Sequence, residues 1–65
     1  MEIVVNGECE TTGPCTIADV VTRRGIDAGA LVVELNRAIV KQEQWSSTRL
    51  QAGDRLELLS FVGGG

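Results

Sequence analysis

Gly63-Gly64-Gly65 is the stretch whose residue type and position point most directly to chemistry. Glycine has no Cβ, so a run of it lets the backbone pass very close to another backbone or to a ligand. With Gly65 as the last residue, its α-carboxylate is the least hindered carboxyl group of the sequence, and we read it as a reacting group. The plain alternative is a glycine-rich end with no role.

The other residues with chemical potential are Cys9 and Cys15, six apart. That spacing is neither a CxxC redox pair nor half of a zinc site. The sequence contains no histidine, which removes both a Cys/His metal site and the commonest general base. No serine or cysteine has a recognisable activating partner. The cysteines are expected to be free thiols in a reducing compartment. No catalytic residue and no metal ligand is therefore assigned, and the chain is expected not to be an enzyme.

A sequence of 65 residues with 43% hydrophobic and 23% charged content is that of one small folded domain. The net charge of −3 argues against nucleic acid and anionic membrane as partners, both of which call for a basic surface. A basic groove on another protein suits it better. Without a membrane-length apolar run or a signal-peptide pattern, the expected location is the cytoplasm.

The elements that must hold this reacting end follow from local pattern. Met1 to Val5 alternates, with Met1, Ile3 and Val5 on one face and Glu2 and Val4 on the other. Asn6-Gly7 predicts a type I′ hairpin turn, and Glu8 to Thr12 returns as a polar edge strand ended by Gly13-Pro14. Thr16-Ile17-Ala18-Asp19 has the form of a capping box. It opens a helix whose Ile17, Val20, Val21 and Arg24 fall at helical spacing, with Gly25 as its left-handed stop and Ile26 placed to touch Val21. Asp27-Ala28-Gly29 reads as a loop. Leu31 to Leu35 is a strand with Leu31, Val33 and Leu35 facing one way. Asn36-Arg37-Ala38 turns it into a short apolar segment, Ile39-Val40. Lys41 to Ser47 is read as a turn of helix whose Trp45 closes one end of the core. Gln51-Ala52-Gly53-Asp54 is a turn, and Arg55 to Phe61 is the last strand.

This order predicts an α+β fold, a mixed sheet of four to five strands with one main helix on one face. The domain is expected over 1–61, with 62–65 as a flexible glycine-rich tail. With Leu56 and Leu58 inward, Glu57, Leu59 and Phe61 point outward, beside Val4 and Val32 if the first and last strands pair at the centre. Val4, Val32, Leu59 and Phe61, continuing to Val62, would then form an apolar partner-binding patch leading to the tail. Glu57 and Glu2 would steer it to a basic partner. The bland alternative is scattered surface hydrophobics.

The run Glu34-Leu35-Asn36-Arg37-Ala38-Ile39-Val40, then Glu43-Gln44-Trp45, resembles the ThiS family. So do Leu50-x-x-Gly53-Asp54-Arg55-Leu56-Glu57-Leu58-Leu59, the end Phe61-Val62-Gly63-Gly64-Gly65 and the opening Met1-x-Ile3-x-x-Asn6-Gly7. These are ubiquitin-like sulfur carriers of thiamine thiazole biosynthesis. The resemblance implies the β-grasp fold, in which first and last strands pair side by side. It also implies that Gly63 and Gly64 thread into a ThiF-type adenylyltransferase related to ubiquitin-activating enzymes. There the Gly65 carboxylate would be adenylated and become a thiocarboxylate, with ATP and Mg²⁺ held by the enzyme and no cofactor by the carrier. A sulfur donor such as a cysteine desulfurase and a ThiG-type thiazole synthase complete the implied partners. Val62 to Gly65 could span about 13–14 Å as an extended strap. Carriers for molybdopterin, cysteine or transfer-RNA thiolation share the pattern. A thiol redox protein using Cys9 and Cys15, or an interaction module with an inert tail, are the readings from other classes.

Overall fold

The computed structural model describes residues 1–61. Strand β1 (Glu2–Val5) turns into β2 (Glu8–Thr11), and helix α1 (Ile17–Arg24) follows. Strand β3 (Leu31–Leu35) then turns into β4 (Ala38–Val40), and β5 (Arg55–Ser60) is the last strand. The sheet has five strands in the order β2-β1-β5-β3-β4. Strand β5 runs parallel to β1 and antiparallel to β3. This is the β-grasp arrangement, with the first and last strands adjacent at the centre.

Turn chemistry accounts for both hairpins. Asn6 and Gly7 have φ of 50° and 84°, the left-handed pair that a type I′ turn requires and that Asn-Gly adopts at least cost. Asn36 and Arg37, at 50° and 74°, make the same kind of turn between β3 and β4 without a glycine. Asn36 is held there by its bonds. Its N–H donates to the Arg55 carbonyl (2.8 Å), its Oδ1 accepts from the Arg55 N–H (2.9 Å) and its Nδ2 donates to Asp54 Oδ1 (3.1 Å).

The capping box of α1 is present in full. Thr16 Oγ1 accepts from the Asp19 N–H (3.2 Å), and the Thr16 N–H donates to Asp19 Oδ2 (2.9 Å). Gly25 ends the helix at φ 67°, its N–H donating to the Thr22 carbonyl. The bond from the Thr16 N–H holds the Asp19 carboxyl below its ordinary pKa, with Arg23 and Arg49 adding charge in the same direction. A depressed folded pKa stabilises the fold above the unfolded value, and that stabilisation is lost as pH falls through the folded one. Replacing Thr16 by Ala should cost about 1 kcal/mol in urea unfolding at neutral pH. An Asp19→Asn variant should trail wild type at neutral pH and converge on it in acid. Parallel pH profiles for these two proteins would remove the capping box from the account of stability.

Ile17, Val20 and Val21 of α1 pack on one face of the sheet with Ile3, Val5, Leu31, Val33, Leu56 and Leu58. Trp45 and Leu50 close the remaining side. Trp45 sits on a 3-10 helix (Gln42–Ser47), and its indole N–H donates to the Val40 carbonyl at 2.8 Å, so burial leaves no orphan donor.

Four local expectations change. Met1 is not part of the inward row: it is 37% exposed, because it precedes β1 and is held through its own ammonium and carbonyl to Thr12. Asp27-Ala28-Gly29 is not a plain loop. Asp27 Oδ1 accepts from the Gly29 N–H at 3.0 Å and caps a 3-10 turn at Ala28–Ala30. Strand β2 stops at Thr11, leaving Thr12 buried beyond it. Strand β5 ends at Ser60, so Phe61 lies just outside it.

Candidate functional site

The residues nearest the candidate reacting end are carried on β5, a central strand of the sheet. Besides pairing on both sides, its backbone is bonded by two asparagine side chains. Asn6 Oδ1 accepts from the Leu58 N–H at 2.7 Å, across 52 residues of sequence, and Asn36 Oδ1 takes the Arg55 N–H. One residue past the strand, the Phe61 N–H donates to the Ala30 carbonyl at 2.7 Å. The point from which residue 62 departs is thereby fixed to the body. Val62, Gly63, Gly64 and Gly65 lie outside the described residues.

The register defines the face that accompanies β5. Alternation sends Leu56 and Leu58 into the core and Arg55, Glu57 and Leu59 to the opposite side. On that outward side, Leu59 pairs with Val32 and Glu57 pairs with Glu34, which in turn pairs with Ile39 of β4. Leu59 is 46% exposed, Phe61 65% and Ile39 69%. Helix α1 covers only the other side of the sheet. Val32 and Leu59 are therefore cross-strand partners on this side, with exposed Phe61 two residues on from Leu59 and Ile39 one row along from Val32.

Val4 is not brought to them. It pairs with Arg55 on one side and Cys9 on the other. Leu59 lies four positions on from Arg55, about 13 Å along the strand. Glu2 lies further off still, opposite Thr11. The charged neighbours of the apolar row are Glu57 and, in the place expected of Glu2, Glu34. Ile39 and Glu34 belong to the family-like run, but nothing in the sequence marks them as lying on this face. Their face becomes known only once the β3–β4 register does, because a shift of one residue would reverse it.

The cysteines do not form a site together. Cys9 is exposed on the outward face of β2, whereas Cys15 is buried on the core side, its Sγ 3.6 Å from Thr12 Oγ1. The sheet lies between the two thiols, which leaves the dithiol redox reading without geometry. A shallow depression of about 380 Å³ is lined by Thr12, Gly13, Pro14, Cys15, Asp19, Thr22 and Arg23. It shares no residue with the outward face. Among the described residues no helix is long and apolar enough to cross a membrane.

Comparison with known proteins agrees with this geometry. The family model described as the ThiS family matches residues 3–65. The crystal structure of the thiamine biosynthesis protein ThiS from Geobacter metallireducens superposes with a TM-score of 0.84 at 29% identity, covering 100% of both chains. A solution structure of a thiamine biosynthesis protein from the same organism gives 0.81 at 28% identity, over 100% of this chain and 88% of that one. A thiazole synthase of Paramagnetospirillum magneticum is 32% identical over 66 residues, all of this chain but only 20% of that protein's length. A protein of Trieres chinensis named uncharacterized protein ycf40 is 29% identical over 62 residues, 94% of this chain and 85% of that protein.

Proposed function

Because the chain belongs to the ThiS family, with residues 3–65 matched, we propose that it is a sulfur carrier for thiazole formation in thiamine biosynthesis. In this reading the Gly65 carboxylate carries the sulfur. The observation that supports the reading is that the glycine run follows in sequence directly on β5 and Phe61, a segment that β3 pairs along residues 56–60 and that the Asn6 and Asn36 side chains bond at Leu58 and Arg55.

A carboxylate resists nucleophilic attack until one oxygen becomes a leaving group. On a ThiF-type adenylyltransferase, a Gly65 carboxylate oxygen attacks the α-phosphorus of Mg²⁺-bound ATP and pyrophosphate departs. Attack of a donor sulfur on the resulting acyl-adenylate forms the carbon–sulfur bond and expels AMP. If the donor is a persulfide of the kind a cysteine desulfurase makes, a thiol reductant then cleaves the sulfur–sulfur bond and leaves the thiocarboxylate. The carrier contributes no catalytic group. Its body docks, and residues 62–65 reach about 13–14 Å into the enzyme. Docking offsets the entropy lost when that strap is ordered.

The partner-binding face in this proposal is Val32, Leu59, Phe61 and Val62, with Val4 at its far margin. A ThiG-type thiazole synthase as sulfur acceptor is supported by the Paramagnetospirillum thiazole synthase, a single polypeptide containing a stretch similar to this whole chain. The test is incubation with the adenylyltransferase, Mg²⁺-ATP and a sulfur donor, followed by intact mass measurement. One oxygen should be replaced by sulfur, and fragmentation should place the sulfur on Gly65. An unchanged mass with an enzyme that loads its own carrier would refute the proposal.

A further inference from the structure

Among the described residues, the backbone bond nearest to Gly65 in sequence is the one from the Phe61 N–H to the Ala30 carbonyl, at 2.7 Å. Ala30 stands just before β3, whose first residue, Leu31, is paired with Ser60. The peptide between Ala30 and Leu31 is planar, with its C=O and N–H pointing opposite ways. Its N–H donates to the Ala28 carbonyl, so the 3-10 turn Ala28–Ala30 sets where the carbonyl that takes the Phe61 N–H points. Three residues of alanine and glycine have little preference of their own for that turn, and Ala28 is only partly buried against the core. Asp27 supplies the bonds that close it. Its Oδ1 accepts from the Gly29 N–H at 3.0 Å and its carbonyl from the Ala30 N–H at 3.1 Å. The carboxylate is otherwise exposed and, among the described residues, forms no ion pair.

We propose that Asp27 is a positioning residue for the reaction at Gly65: by capping the Ala28–Ala30 turn it holds the Ala30 carbonyl, and through it Phe61, so that the carrier meets the adenylating enzyme with the root of residues 62–65 already ordered. The inference rests on the sulfur-carrier reading. A residue whose backbone is unfixed in the free carrier has to be fixed on docking, which lowers affinity by a factor of about five to thirty. Once docked, Gly65 occupies the same place whether or not the root was ordered beforehand. The loss therefore falls on binding and not on the rate at saturation.

The test combines loading kinetics on the adenylyltransferase with hydrogen exchange. For Asp27→Ala we expect the carrier concentration that half-saturates loading to rise about fivefold or more, with the saturated rate unchanged and the Phe61 amide exchanging faster. Asp27→Asn keeps an oxygen acceptor in the same place and should restore both readouts, which a direct role for the charge in docking would not allow. A synthetic carrier with an ester in place of the Ser60–Phe61 amide deletes the Phe61 N–H and keeps every side chain. It should raise the half-saturating concentration by itself, and Asp27→Ala added to it should change nothing further. Urea unfolding of each variant establishes that it is folded under the assay conditions. Wild-type half-saturation in Asp27→Ala or in the ester carrier would overturn the proposal and leave the sulfur-carrier reading standing. So would full additivity of the two changes, or a loss confined to the saturated rate. If the wild-type carrier is not loaded by an enzyme that loads its own carrier, the underlying reading falls and this inference with it.

Discussion

A carrier with one residue appended after Gly65, or with Gly64→Val, is expected to lose thiocarboxylate formation by at least about a hundredfold. A misplacement of about 1 Å at a reacting carbon is enough for a loss of that order. The appended residue moves the reactive carboxyl out of register and adds bulk. Valine at 64 puts a branched side chain where the enzyme must close around bare backbone. Gly63→Val, one residue farther from the chemistry, should lose less. The thermal midpoint should not move for any of the three, because the core identified above runs from Ile3 to Leu58. The decisive comparison is the loading rate of each variant at saturating enzyme, followed by mass. An extended carrier loaded at the wild-type rate, without prior trimming, would show that the Gly65 carboxylate is not the sulfur-bearing group.

The second large effect concerns the body. Leu56 and Leu59 are the same residue type on the same strand, yet Leu56 is 1% exposed and Leu59 46%. Leu56→Ala should cost about 2–5 kcal/mol through lost burial and the cavity left behind. For a chain of 65 residues, total stability is of the order of 3–10 kcal/mol at roughly 0.05–0.15 kcal/mol per residue. That one change should therefore leave much of the population unfolded near physiological temperature. Leu59→Ala should stay within about 0.5 kcal/mol. Urea unfolding followed through Trp45 emission would measure both. Equal losses at the two positions would mean that the register of β5 has been misassigned.

Much of this architecture was legible in local pattern. Asn6-Gly7, the capping box at Thr16 and Asp19, Gly25 as helix stop and the alternation of Arg55 to Ser60 each announce themselves within a few residues, because the physics they obey is local. The order of strands was not legible in that way. Alternation says which residues share a face but not which strand lies beside which, and the adjacency of β1 and β5 came only from resemblance to a family. The extent of the candidate patch depends on the same level. Val4 and Leu59 were correctly placed on one face, but how far apart they lie depends on the register between β1 and β5. Glu34 and Ile39 were read only as part of the family-like run, because their place on the outward face follows from cross-strand neighbours. The Asn36-Arg37 turn lacks the usual glycine, and its left-handed Arg37 is held by bonds that Asn36 makes to residues 54 and 55, nearly twenty positions away.

The position of β5 has a consequence for how the protein is made. The strand synthesised last among the described elements is the one in the middle, and it joins two hairpins, β1–β2 and β3–β4, that have no strand pairing with each other. A nascent chain that has emerged only to Asp54 possesses the helix and both hairpins but no continuous sheet, and isolated hairpins are marginal in water. Loop closure over most of the chain must also precede the β1–β5 contact. Folding should therefore wait until β5 clears the ribosome and then occur in one step. Ribosome-bound chains of increasing length should stay protease-sensitive until residue 60 is outside the exit tunnel; resistance appearing while β5 is still inside would contradict this. On the reading proposed above, the face bearing Val32 and Leu59 is assembled only once the strand that leads to Gly65 is complete.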